Sequence, residues 1–215
     1  MFTFPVDWSG FRTVLCLGAH CDDIEIGCGG TLVELQRRAP HLRFLWVALS
    51  GDAEREAETR NAGTGLLGGQ DCLDVEVANF RGSYFPHHWM EIKDYFEGLK
   101  SRIDPDLILT HWLDDRHQDH RVVAELTWNT FRDHRVLEYE IPKYEGDLGR
   151  PNLYVPLSRE TVERKITVLG SHFPSQRQRA WFRPEVFRSL LTLRGIECNA
   201  ESGFAEAHHA RKMVV

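Results

Sequence analysis

From residue 13 to residue 141, short apolar runs alternate with longer amphipathic stretches, the rhythm of strands interleaved with helices. The runs Thr13–Gly18, Leu42–Leu49, Cys72–Val77, Asp106–His111 and Val136–Ile141 carry β-branched or aromatic residues and are too short for helices. Gly29–Arg38 keeps Leu32, Val33 and Leu35 towards one side and ends in basic residues before Pro40, as the C-terminus of a helix does. Glu54–Leu67, Trp89–Arg102 and Asp119–Arg132 read as helices on the same grounds. Strands joined by helix-length connections run parallel, and right-handed crossovers place helices on both faces. The expected fold is α/β: a Rossmann-like three-layer α/β/α sandwich with a mostly parallel sheet. Its ligand site is expected along the rim formed by the carboxyl ends of the strands.

After Pro142 the alternation weakens. Lys143–Pro156 has the Gly, Pro, Asp and Asn content of a long loop or a cap over that rim. Helices are expected at Ser158–Gly170, with Ser158 as cap, and at Pro184–Leu193, with a proline in the first turn. Phe204–Val215 reads as a short final strand. No linker composition interrupts the chain, so residues 1–215 read as a single domain, with a core over 1–141 and a cap loop, helices and strand over 142–215 packed on it. With 42% hydrophobic and 27% charged residues, the composition excludes collagen-like, coiled-coil and disordered classes. Counting 26 Lys+Arg against 32 Asp+Glu gives a net charge of −6, which argues against nucleic acid as a partner. The cysteines, Cys16, Cys21, Cys28, Cys72 and Cys198, are odd in number and form no CxxC, so a reducing cytoplasm is the expected location. Met1 to Gly10 does not read as a secretory signal, and no apolar run approaches the roughly 18 residues of a membrane span.

Two clusters stand at strand ends on the expected rim. His20, Cys21, Asp22, Asp23 and Glu25 follow the first strand, just ahead of Gly27, Gly29 and Gly30. The plain alternative is that Asp22 or Asp23 caps the next helix and His20 is an ordinary loop histidine. His111, Asp114, Asp115, Arg116, His117, Asp119 and His120 follow the fourth strand, with His117 and His120 spaced to share one face of a first helical turn. Together His20, Asp23 and His120 supply two imidazoles and a carboxylate, three N/O ligands that leave a fourth position open, as in a catalytic zinc site. Asp22, His117 and Asp119 are the kinds of side chain that proton transfer beside such a metal uses, so a hydrolase is implied.

These residues carry a resemblance. His20-Cys21-Asp22-Asp23 with Glu25 and the glycines, and His117-Gln118-Asp119-His120 about a hundred residues later, resemble the LmbE-like (PIG-L) family of zinc-dependent N-acetylglucosaminyl deacetylases. Arg55 and Glu58 resemble the family's helix after the second strand. His172, Ser175 and Gln176, and the segment Phe204-Ala205-Glu206-Ala207, resemble its later motifs. One position departs: Cys21 stands where the family usually has proline, so the loop loses a fixed φ, and Cys21 is expected to be a buried, non-ligating substitute.

The resemblance implies hydrolysis of an N-acetyl amide on a small-molecule amino sugar. His20, Asp23 and His120 would hold zinc, which brings the pKa of bound water from about 15.7 towards about 7. Asp22 would be the general base, a protonated His117 would meet the oxyanion, Asp119 would hold the tautomer of His117, and Asp22 or His117 would protonate the leaving amine. Arg55 would reach a hydroxyl or phosphate of the substrate, against the alternative of a solvated helix-surface ion pair. His111 is expected to line the cavity wall on the substrate side, while Asp115 and Arg116 shape the loop. His87-His88 and His208-His209 are expected at the surface. Trp89, Trp112 and Trp181 are placed in packing rather than against a sugar. Relatives often assemble, so a homo-oligomer is expected. The competing readings are a non-catalytic relative acting as a binding or assembly module, and a magnesium-binding phospho-acceptor module, which leaves His117 and His120 without a role.

Overall fold

The computed structural model describes residues 6–69 and 71–213. Its first five strands, β1 (Thr13–His20), β2 (Arg43–Ser50), β3 (Leu73–Val77), β4 (Leu107–His111) and β5 (Val136–Tyr139), are those of the alternating segment, to within a few residues at each end. They alternate with helices α1 (Asp23–Arg38), α2 (Ala53–Leu67), α3 (Trp89–Arg102) and α4 (Gln118–Thr130), a short 3-10 turn at Phe85–His88 preceding α3. Beyond them come β6 (Leu153–Pro156), α5 (Arg159–His172), a 3-10 turn at Pro174–Gln176, α6 (Pro184–Glu197) and β7 (Ala205–His209). The sheet order is β3-β2-β1-β4-β5-β7-β6. The first five strands pair in parallel, and β7 runs antiparallel to both of its neighbours.

The two faces of the sheet are covered by separate cores, which makes the molecule the three-layer sandwich expected. Leu15, Leu17, Val47, Leu49 and Ile108 pack against Ile92, Phe96 and Leu99 of α3 and Val123 and Leu126 of α4. Val14, Cys16, Phe44, Trp46 and Leu109 face the other way, onto α1, α2, α5 and α6. Alternation along β1, with every residue from Val14 to Ala19 buried, is the signature of a strand covered on both sides. The chain steps outward from β1 to β2 and β3, then returns to β4 beside β1. The carboxyl ends of β1 and β4 therefore flank a topological switch point, where a crevice opens.

Two local expectations change. Helix α1 begins at Asp23 rather than at Gly29, so Gly27, Gly29 and Gly30 lie inside it. Each glycine costs a helix interior roughly 0.5–1 kcal/mol relative to alanine, and tertiary contact overrides that cost here. A Cβ at Gly27 would stand 2.1 Å from the ring of Tyr139, and one at Gly30 2.6 Å from Leu157. The segment read as a loop or cap, Lys143–Pro156, ends in β6, whose few residues pair with β7. The final strand is short, Ala205–His209, and Ser158 caps α5 by accepting the Thr161 N–H at 3.0 Å. Among the described residues no helix is long and apolar enough to cross a membrane.

Candidate metal centre

Both clusters arrive at the switch point. His20 is the last residue of β1, Asp22 and Asp23 open α1, His111 ends β4, and His117 to Asp119 and His120 form the first turn of α4. Three overlapping groups place ligand atoms within 4.8 Å of one another: His20, Asp23 and His120; His20, His117 and Asp119; and His111, Asp115 and His120.

Hydrogen bonding separates the three. The Asp119 carboxylate accepts the N–H groups of Ser83 and Phe85 and lies 3.1 Å from His20 Nε2. Asp115 accepts the His117 N–H at 2.8 Å and Lys143 Nζ at 2.8 Å, and lies 3.0 Å from His120 Nδ1. Both carboxylates are thus occupied by the chain. Asp23 Oδ2 is likewise engaged, accepting the His20 N–H at 2.7 Å and lying 3.1 Å from His111 Nε2, while Oδ1 lies 3.5 Å from His120 Nε2.

That arrangement fixes tautomers. Burial pushes Asp115 up, but His120 first, then His111 and Lys143, outweigh it and hold Asp115 well below the usual carboxylate range, so it accepts a proton-bearing Nδ1 from His120 and leaves Nε2 of that ring bare. Burial, followed by neighbouring His111, pushes His120 down to about 3, so it is neutral. A bare nitrogen and a carboxylate oxygen then face each other with no proton between them. His20 is the counterpart: with Nε2 turned to Asp119, its Nδ1 points to Asp23 Oδ2 at 3.3 Å. Burial pushes His20 down, but Asp23 and Asp119 outweigh it and raise it to about 10, which marks this as a place where positive charge is favoured. Two nitrogens, one carboxylate and a local demand for a cation fit a divalent metal at His20, Asp23 and His120.

Asp22 sits beside this group and points elsewhere. Arg55, third residue of α2, places Nη2 2.9 Å from Asp22 Oδ1 and also donates to the Cys21 carbonyl. Burial pushes Asp22 up to about 6, Arg55 opposing it. The guanidinium expected to await a substrate hydroxyl or phosphate, or to form a solvated pair, is instead engaged with Asp22. His117 is the N-cap of α4, its Nδ1 accepting the Asp119 N–H at 3.3 Å. Its tautomer is therefore set by a backbone amide, and the carboxylate of Asp119 serves His20 instead. Burial and neighbouring His20 lower His117, so the ring is neutral and carries its proton on Nε2.

Other expectations are corrected by burial. His111 is fully buried, accepts the Ala19 N–H at Nε2 (3.0 Å), and stacks on His120 with ring centroids 3.9 Å apart. Its Nε2 also lies 3.1 Å from Asp23 Oδ2, so this buried ring packs against both His120 and Asp23 rather than lining an open cavity wall. Asp115, read as shaping the loop, is the residue that orients His120. Its signal is faint because it precedes α4, outside any helical spacing. His208 is buried, with Nε2 2.9 Å from Thr31 Oγ1, and His209 stacks on Trp112, whereas His87 is exposed. Cys21 is buried, with Sγ 3.4 Å from the Ser50 carbonyl and outside all three ligand groups; burial pushes its thiol up.

The sequence pattern of a family described as PIG-L, GlcNAc-PI de-N-acetylase, matches residues 15–131. An uncharacterized deacetylase, YaiS, of Escherichia coli (strain K12) is 27% identical over 175 residues, covering 75% of this chain and 90% of that protein. Among solved structures, the N,N'-diacetylchitobiose deacetylase of Pyrococcus horikoshii superposes with a TM-score of 0.72 at 20% identity, over 94% of this chain and 84% of that one. GalB, the 4-carboxy-2-hydroxymuconate hydratase of Pseudomonas putida KT2440, superposes with a TM-score of 0.71 at 16% identity, over 95% and 98% of the two chains. At these identities the two structures share the fold.

Proposed function

The chain belongs to the PIG-L family, and on that premise we propose that it is a metal-dependent deacetylase. In this reading it removes the acetyl group from an N-acetylated amino sugar of the N-acetylglucosamine type, with zinc as the metal and the cytoplasm as the location. The observation that carries the reading is the facing pair of His120 Nε2 and Asp23 Oδ1, 3.5 Å apart with the His120 tautomer fixed from behind by Asp115.

His20, Asp23 and His120 would hold the ion. A bound zinc supplies Lewis acidity and brings the pKa of bound water from about 15.7 towards about 7. Asp22 then takes the proton of the attacking water, held in orientation by Arg55 and poised near neutrality by its burial. His117 donates from Nε2 to the oxygen of the acyl group as negative charge develops there, a contribution on the order of 3–4 kcal/mol for a well-aimed donor. As the C–N bond breaks, the protonated Asp22 is placed to return its proton to the departing amine. Because burial and neighbouring His20 keep His117 neutral, Asp22 is favoured for that step.

Protein loaded with stoichiometric zinc is expected to release acetate from N-acetylglucosamine derivatives. Asp22→Asn should retain zinc and lose turnover by about 10²–10⁴-fold, whereas His20→Ala should lose the metal first. No acetate from a broad panel of N-acetyl amino sugars would defeat the enzymatic reading and leave a binding module. Equal zinc loss in both variants would overturn the division of roles.

A further inference from the structure

Helix α1 shares its middle turn with the C-terminal segment. The carboxylate of Glu206, on β7, accepts the backbone N–H groups of Gly30 and Thr31 at 2.7 and 2.6 Å. Lys165, on α5, donates from Nζ to the Ile26 carbonyl and to Glu206 Oε1, each at 2.5 Å. In an uninterrupted α-helix the Gly30 N–H is the partner of the Ile26 carbonyl, and the Thr31 N–H that of Gly27. The ion pair thus bonds, from outside the helix, to the backbone groups of this turn, within an α-helix continuous over Asp23–Arg38. Both side chains are buried, at 2% and 4% exposure, so the contact is shielded from water. Gly30 admits the carboxylate: a Cβ there would stand 2.8 Å from Glu206 Oε1.

The turn so held follows directly on the one that carries Asp23. Ile26 donates its N–H to the Asp22 carbonyl at 3.0 Å and gives its own carbonyl to Lys165. Of the three proposed ligands, His20 belongs to β1 and His120 to α4, so Asp23 alone depends on the direction in which α1 leaves the sheet. We infer that Lys165 and Glu206 are positioning residues for the metal centre. By standing in the middle of α1 they set where its first turn points, and with it where Asp23 meets the two histidines. The inference rests on the metal-site reading above.

Cobalt(II) titration of the metal-free protein, followed by visible absorption, tests it. Lys165→Met/Glu206→Gln removes both charges together, so neither is left buried alone. This variant should bind cobalt about 10–100-fold more weakly than wild type, in the range seen when supports of a ligand are lost, with a changed absorption band and a wild-type far-ultraviolet dichroism spectrum. A second buried pair, Arg194 with Glu140, holds the same segment but has no partner in α1. Glu140→Gln/Arg194→Met should therefore lower the melting temperature and leave the cobalt spectrum as in wild type. Wild-type affinity and spectrum in the Lys165/Glu206 variant, or an equal change in both double variants, would overturn the inference. Should that double variant not fold, Glu206→Gln alone decides: it keeps one acceptor for the helix, and wild-type cobalt affinity there is contradictory. Cobalt binding that survives His20→Ala would instead defeat the metal site itself, and the inference with it.

Discussion

Each of three histidines at the site has a carboxylate or amide behind it that decides which ring nitrogen it presents. Asp115 does this for His120 and Asp119 for His20, while the backbone N–H of Asp119 does it for His117. Asp115→Asn keeps the shape of the side chain but withdraws the charge that draws the Nδ1 proton. It should weaken zinc binding by about 10–100-fold while leaving the fold intact, as read by competitive chelator titration; unchanged affinity would remove Asp115 from the site. Residue type and strand-end placement nominated His20, Asp23 and His120 in the sequence, and the structure brings their ligand atoms within 4.8 Å of one another. Their supports were not legible there. Whether Asp119 turns to His117 or to His20 depends on the N–H groups of Ser83 and Phe85, which come from a loop with no motif of its own.

Helix α1 shows how an element can run against its own propensities. Gly29 and Gly30 open the helix expected from the sequence and Gly27 lies outside it, yet close packing on Tyr139, Leu66, Leu157 and Glu206 holds all three glycines inside a longer buried helix. Tyr139 is fixed in turn by its hydroxyl, which donates to the Leu17 carbonyl at 2.7 Å. Gly27→Ala, a helix-favouring change in isolation, should therefore destabilise the protein by about 1–3 kcal/mol or more through overpacking, measured by denaturant unfolding. A neutral or stabilising result would contradict the packing described. Strand β6 escaped for the opposite reason. Leu153–Pro156 is brief and edge-lying, with a proline at its end, and only pairing with β7 makes it a strand. Where period and length agreed, as for β1, β2, α2 and α3, the reading and the structure coincide within a residue or two.

Across the whole molecule, the sheet topology places two distant stretches of chain at one crevice, and the C-terminal segment closes beneath it. The same fold is shared by a hydratase and a deacetylase, so the reaction is argued from the side chains and not from the architecture. The C-terminal segment also gives the molecule an acid-sensitive point. Burial, partly opposed by Glu206, pushes His208 from 6.5 down to about 4. The unfolded chain takes up this proton near pH 6.5 and the folded chain only near 4, so the stability it contributes is intact above 6.5 and is lost as pH falls through that window. The loss should be on the order of 2–3 kcal/mol relative to His208→Gln, and unfolding curves of the two proteins that run parallel from pH 7 to about 4 would contradict it. The proposed chemistry requires one divalent ion held between β1, α1 and α4. Anomalous diffraction at the zinc edge from zinc-loaded crystals tests it most directly. A single strong peak bonded to His20 Nδ1, an Asp23 oxygen and His120 Nε2 is expected; a peak elsewhere, or none at full zinc loading, would rule the site out.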